Sequence, residues 1–180
     1  MLDVTKTGMR GIGLSIPQVI SRDEEHCLVI PVSGPMASMP QFAPPKFAEL
    51  HAFMQRMAVL PSGPGFFRYR RFDEQGNVVL EVGSPVESAT SGGDGVKPST
   101  LPAGRYASAT YTGPYDRLYD GFLMLEGWMR GRGLEPAGEP GEPACQLEIY
   151  RVSPMDESDP AKLVTELLVK LAGTSEEEFQ

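Results

Sequence analysis

Apolar positions recur along this chain in two rhythms, and the rhythms come in the same order twice. Residues 26–32 form an apolar, β-rich run that stops at the turn signal Ser33-Gly34-Pro35, which predicts a strand. Pro44-Pro45 then opens a helix, proline being tolerated in a first turn, and Phe47, Leu50, Met54 and Met57 follow at three- and four-residue steps as one apolar stripe. Pro61-Ser62-Gly63-Pro64 stops that helix. Residues 66–72 and 78–82 read as a hairpin around Asp73-Glu74-Gln75-Gly76-Asn77. Residues 87–100, rich in Gly, Ser, Thr and Pro, read as a linker. The order then repeats. Residues 106–111 alternate small and aromatic side chains, as a half-buried strand does, and Gly113-Pro114 precedes a helix over 115–130 that carries Leu118, Phe122, Leu125 and Met129 on one stripe. Residues 147–152 and 164–171 close the pattern as strands. The fold class is α+β, with two main helices over an antiparallel sheet.

Matching landmarks bear out the repetition. Ser33-Gly34-Pro35, Phe53-Met54, Pro61-Ser62-Gly63, Phe67-Arg68-Tyr69 and Glu81 correspond to Thr112-Gly113-Pro114, Trp128-Met129, Pro136-Ala137-Gly138, Glu148-Ile149-Tyr150 and Glu166. This is a diverged duplication of a strand-helix-strand-strand unit, with halves at about 17–86 and 101–172. Two copies are too few for a solenoid and suit one closed domain with pseudo-two-fold symmetry. A cleft between similar halves is a natural place for a ligand. Residues 1–16 belong to neither copy and are expected to be a loosely ordered leader; residues 173–180 form an acidic tail.

Composition narrows the classes. A chain of 180 residues, 41% hydrophobic and 22% charged, has the apolar material for a single domain with a real core. Its net charge of −8 attracts cationic small molecules and repels a nucleic-acid backbone. The densest basic cluster, Arg68, Arg70 and Arg71, would be split between two strand faces, so no direct nucleic-acid binding is expected. Cys27 and Cys145 fall in strand-like segments as buried thiols rather than a disulfide framework, which favours a reducing, cytoplasmic location. No apolar run approaches the roughly 18 residues of a membrane span, and no signal-peptide stretch opens the chain.

Common catalytic signatures are missing. Gly11-Ile12-Gly13 lacks the third glycine and the leading strand of a dinucleotide fingerprint, and no phosphate-binding loop occurs. His26 and His51 have no second ligand at metal-binding spacing, so neither a metal nor a cofactor is expected. What remains is acidic and aromatic. Glu148 stands in a strand, and its counterpart in the first copy is Phe67, a carboxylate on one side of the symmetry and a ring on the other. Tyr150 shares the face of Glu148, being two residues on, and Tyr69 is its counterpart in the first copy. Tyr115, Tyr119 and Trp128, from the facing helix, could stack on a flat ligand, and aromatic faces attract cations by roughly 0.5–2 kcal/mol each. Against this stand simpler roles: Glu148 pointing to solvent, Trp128 and its counterpart Phe53 packing in the core, and Glu81 and Glu166 sharing a structural task.

One family resemblance covers about nine-tenths of the chain. Leu101-Pro102-Ala103-Gly104-Arg105-Tyr106, Tyr111-Thr112-Gly113-Pro114-Tyr115-Asp116, Gly133-Leu134-Glu135-Pro136-Ala137-Gly138, Leu147-Glu148-Ile149-Tyr150 and Val164-Thr165-Glu166-Leu167 follow in order. With Phe72-Asp73 and Glu81-Val82-Gly83-Ser84-Pro85-Val86 before them, the series resembles the GyrI-like small-molecule-binding domain, the effector-binding domain of AraC- and MerR-type multidrug regulators. The resemblance implies a pocket between the halves in which a buried glutamate, here Glu148, meets cationic, often aromatic, ligands, with Tyr150, Tyr115 and Trp128 beside it. The regulators carry a DNA-binding helical domain ahead of this one, and the chain is expected to be a stand-alone member. Three functions follow as expectations. The first is binding of amphipathic, cationic aromatic compounds. The second is hydrolysis of strained, cyclopropanoid natural products, with Glu148 handling water and Tyr115 or Tyr150 steadying charge. The third is inhibition of DNA gyrase through a protein–protein contact, or docking to another regulator.

Overall fold

The computed structural model describes residues 13–173, so most of the expected leader and nearly all of the acidic tail lie outside the described residues. The first run comprises β1 (Gly13–Leu14), β2 (Gln18–Arg22), β3 (Glu25–Pro35), a short helix α1 (Met39–Phe42), α2 (Lys46–Arg56), β4 (Phe66–Phe72) and β5 (Asn77–Pro85). The second comprises β6 (Lys97–Leu101), β7 (Gly104–Thr112), α3 (Leu118–Gly131), β8 (Gly138–Glu139), β9 (Glu142–Pro143), β10 (Gln146–Val152) and β11 (Val164–Lys170). The repeat is present as β3–α2–β4–β5 and β7–α3–β10–β11.

Each helix follows from its apolar stripe. Helix α2 begins directly after Pro45, gains an exposed Lys46–Glu49 pair at 2.9 Å in its first turn, and buries Leu50, Phe53 and Met54. Helix α3 follows a 3-10 turn over Tyr115–Arg117 and buries Leu118, Gly121, Phe122, Leu125 and Met129. Burial of one such leucine contributes ~1.5–3 kcal/mol. A Cβ on Gly121 would lie 2.9 Å from Leu167 Cδ1, so the missing side chain is what lets α3 rest on β7 and β11.

Among the described residues, β1-β7-β11-β10-β4-β5-β3-β6 run in that order through one antiparallel sheet, with β2 following β1 along the outer edge of β7. Two expectations need correction here. Gly13 and Leu14, assigned to a loose leader, pair with Thr112 and Tyr111. The last residues of the expected linker form β6, which pairs with β3 from Leu101↔Glu25 to Lys97↔Val29. The leading strands are exchanged between the copies. β2 runs into β3 across Asp23-Glu24 yet pairs with β7; β6 runs into β7 across Pro102-Ala103 yet pairs with β3. These two short links tie the ends of the sheet together and curl it around an interior of Cys27, Val29, Phe66, Leu101, Tyr106, Cys145, Leu147, Ile149 and Leu168.

That interior holds buried polar groups. Arg68 is buried and donates to the carbonyls of Thr100 and Ala144 at 3.0 and 3.1 Å, with Glu81 3.8 Å away. Arg70 and Arg71 are exposed, so the basic run is indeed divided. Glu166, the counterpart of Glu81, is held by Arg151 at 2.6 Å, so both glutamates serve ion pairs. Cys27 and Cys145 are free and buried, and desolvation pushes the Cys27 thiol up to about 12 and raises that of Cys145.

Candidate ligand-binding site

The two copies meet where β4 pairs with β10. The register there is Tyr69↔Gln146, Arg68↔Leu147, Phe67↔Glu148 and Phe66↔Ile149. Phe67 and Glu148 are each other's counterparts in the duplication and also face each other across the ladder. The pseudo-two-fold axis therefore passes between them. Directly opposed residues of an antiparallel pair project from the same face, so the ring and the carboxylate stand side by side on the helix-covered face.

The flanking tyrosines complete the arrangement. Tyr69 Oη donates to Glu148 Oε1 at 2.8 Å, and its counterpart Tyr150 Oη donates to Oε2 at 2.6 Å. One carboxylate thus receives a hydroxyl from each half. The helices repeat the symmetry: Phe47 of α2 meets Tyr150 edge-on (5.9 Å between centroids, 86°), and Phe122 of α3 meets Tyr69 edge-on (6.4 Å, 87°). Phe67 stacks on Phe47 at 5.5 Å and 8°, and Tyr115 meets Tyr150 at 5.6 Å.

Above this floor lies an open cleft of about 1980 Å³ between α2, α3 and the segments around 61–65 and 134–156. Glu148 is only 5% exposed, and burial raises its carboxyl above the ordinary range, with the Tyr150 and Tyr69 hydroxyls pulling the other way. Burial, and then the nearby carboxylate, raises both tyrosines well above their usual value, so they are protonated donors at neutral pH. Tyr115 is pushed up to about 12, by burial first and by Glu148 second. No basic side chain forms an ion pair with Glu148 among the described residues; its hydrogen bonds come from the two tyrosines. A desolvated carboxylate flanked by rings can take an organic cation, by charge and through the aromatic faces. Among the described residues no group of His, Cys, Asp and Glu is placed to hold a metal.

Of the residues singled out by sequence, Glu148, Tyr150, Tyr69, Phe67, Tyr115 and Tyr119 all line the cleft, the last at its exposed rim. Trp128 does not. It lies on the far edge of α3, packed against the cluster of Leu125, Met129 and Leu167, with Arg132 over its ring at 5.3 Å. Phe47, Phe122, Met39 and Phe72, which sequence alone does not single out for the site, also line the cleft, as does the exposed His51 beside Phe47. The internal alignment held the signal: Phe47 and Phe122 share one helical position, just as Phe53 and Trp128 do.

In sequence, residues 18–172 match the GyrI-like small molecule binding domain family. None of the curated proteins matches the chain. Among solved structures, the C-terminal domain of EcmrR is similar with a TM-score of 0.72 at 17% identity, over 88% of this chain and 98% of that one. In the EcmrR–DNA complex the match takes in 58% of the EcmrR chain, so this chain spans less than two thirds of that protein. SAV2435 bound to tetraphenylphosphonium is similar with a TM-score of 0.62 at 9% identity, over 91% and 98% of the two chains. A hydrolase from Listeria innocua is similar with a TM-score of 0.58 at 16% identity, over 87% and 91%. At these identities the shared property is the fold.

Proposed function

This chain belongs to the GyrI-like small molecule binding domain family, and we propose that it binds amphipathic aromatic cations in the cleft, with Glu148 as the countercharge. The observation that carries this reading is a buried carboxylate with no cationic partner among the described residues, at the floor of an aromatic cleft. Leaving such a charge unpaired is costly, and a ligand cation offsets that cost while its apolar surface leaves water. Phe47, Phe67, Tyr69, Tyr115 and Tyr150 supply rings for stacking or cation–π contact. Large apolar side chains at the rim, Tyr119 and Met155 among them, suit ligands with greasy bodies. The similarity to SAV2435, which was solved with tetraphenylphosphonium, points the same way.

Hydrolysis of strained electrophiles, with Glu148 handling water and Tyr115 or Tyr150 steadying charge, is the second reading and draws on the similar Listeria hydrolase. Both carboxylate oxygens already accept a tyrosine hydroxyl, which stabilises the ionised form and weakens the carboxylate as a base toward water. Binding is therefore the better-supported function. Calorimetric titration with tetraphenylphosphonium and with neutral triphenylphosphine oxide tests it. The cation is expected to bind at least about tenfold more tightly, the ratio one partly paired charge supplies. Equal affinities, or no heat from either compound, would remove the reading.

A further inference from the structure

The cleft is asymmetric in charge. The carboxylates that line it, Asp116, Glu126, Glu135, Glu139, Glu148 and Asp156, all come from the second copy and outnumber its two lining arginines, Arg130 and Arg151. The first copy contributes Met39, Phe47, His51, Phe67 and Tyr69, and no carboxylate. Counterpart positions differ in the same sense each time. Phe67 stands where the second copy has Glu148; His51, four residues after Phe47 on α2, stands where α3 has Glu126, four after Phe122.

The first-copy end holds a different feature. Ser84 of β5 lines the cleft, is 1% exposed, and its hydroxyl has no hydrogen-bond partner among the described residues. Its place relative to Glu148 follows from the register: Glu148 opposes Phe67, Phe67 opposes Val82, and Ser84 is two residues further along on the same face. Two strand spacings of ~4.8 Å and two residues of ~3.3 Å put the two Cα atoms about 12 Å apart. Between them lies the stacked Phe47–Phe67 pair.

We propose that the cleft binds its ligand in one orientation. The favoured ligand is an elongated aromatic monocation, charged at one end near Glu148, laid on the Phe47–Phe67 stack, and carrying a neutral hydrogen-bonding group at the other end for Ser84. This rests on the cation-binding reading above and adds the direction and the second anchor. A cation with its charge at its centre cannot place charge toward the acidic wall and rings toward the aromatic one at the same time. Specificity here comes from differences between the two walls.

The test is calorimetry with three probes: 4-biphenylyl-trimethylammonium, the same cation with a 4′-hydroxyl, and tetraphenylphosphonium. Wild type is expected to prefer the hydroxylated probe over its parent by about fivefold, the worth of one net hydrogen bond. Both should exceed tetraphenylphosphonium, by on the order of tenfold. In Ser84→Ala the hydroxyl preference disappears while the parent probe binds as before. His51→Glu, which gives the first-copy rim the carboxylate of its counterpart, narrows the gap to tetraphenylphosphonium. If tetraphenylphosphonium binds as tightly as the end-charged probes, or if Ser84→Ala leaves their ratio untouched, the oriented site is wrong while cation binding stands. Failure of all three to bind, or binding indifferent to Glu148→Gln, removes the cation-binding reading and this inference with it.

Discussion

Replacing Glu148 by Gln should move stability and binding in opposite directions. The carboxyl is raised in the folded protein, burial outweighing the Tyr150 and Tyr69 hydrogen bonds. The folded state therefore holds this proton to higher pH than the unfolded chain does. The stability it contributes is complete below the unfolded value near pH 4.3 and is lost as pH rises through the folded value. Gln has the same shape and no charge to lose. The variant's stability relative to wild type should thus grow by about 1.4 kcal/mol for each pH unit between the two values and then level off. An offset of ~1 kcal/mol of either sign is expected at low pH, because one tyrosine hydroxyl must turn to accept from the amide. The slope of the difference, not the offset, carries the information. Urea denaturation of both proteins without ligand, at intervals from pH 4 to 9, measures it. Adding tetraphenylphosphonium should reverse the order: the variant loses ~2 kcal/mol or more of cation affinity, about thirtyfold, and with it most ligand-induced stabilisation. A stability difference flat across that range, or one favouring wild type as pH rises, would refute the account of Glu148 as a charge held at the expense of the empty fold.

Tyr69→Phe and Tyr150→Phe each remove one donor from the same carboxylate. Each should cut cation affinity at neutral pH by about tenfold and shift the pH midpoint of binding upward, since the ionised form loses support; calorimetry showing no loss in either variant would contradict the paired geometry. Arg68→Met leaves the Glu81 carboxylate without its arginine in the sheet interior, and should cost ~3–5 kcal/mol in denaturation, most of it recovered in Arg68→Met/Glu81→Leu. A single variant within ~0.5 kcal/mol of wild type would show that the pair is not buried as described.

The sequence carried the frame and the floor of the site. Strand and helix periods define the repeat, and the repeat makes Phe67 and Glu148 counterparts. That the two also oppose each other in the ladder follows from the symmetry, since an axis between antiparallel strands must run between equivalent residues. Trp128 shows where periodicity runs out. A stripe fixes which face of α3 meets the sheet, but residues on either edge of that stripe look alike, and only packing sends Phe122 toward the cleft and Trp128 away from it. Residues 97–100 read as linker because Lys-Pro-Ser-Thr has no alternation and a proline; their strand, which ends at Leu101, exists through pairing with β3, a partner some seventy residues away.

The exchanged strands also bear on how such a molecule arose. A single copy, standing alone, would keep its leading strand without a mate and its long strand with a bare outer edge, because each finds its partner in the other copy. One such half needs a second copy of itself, with arms reciprocally swapped, to close the sheet. With both copies on one chain, the position on the axis is free of the identity a homodimer would impose, so that Phe67 and Glu148 can be different residues.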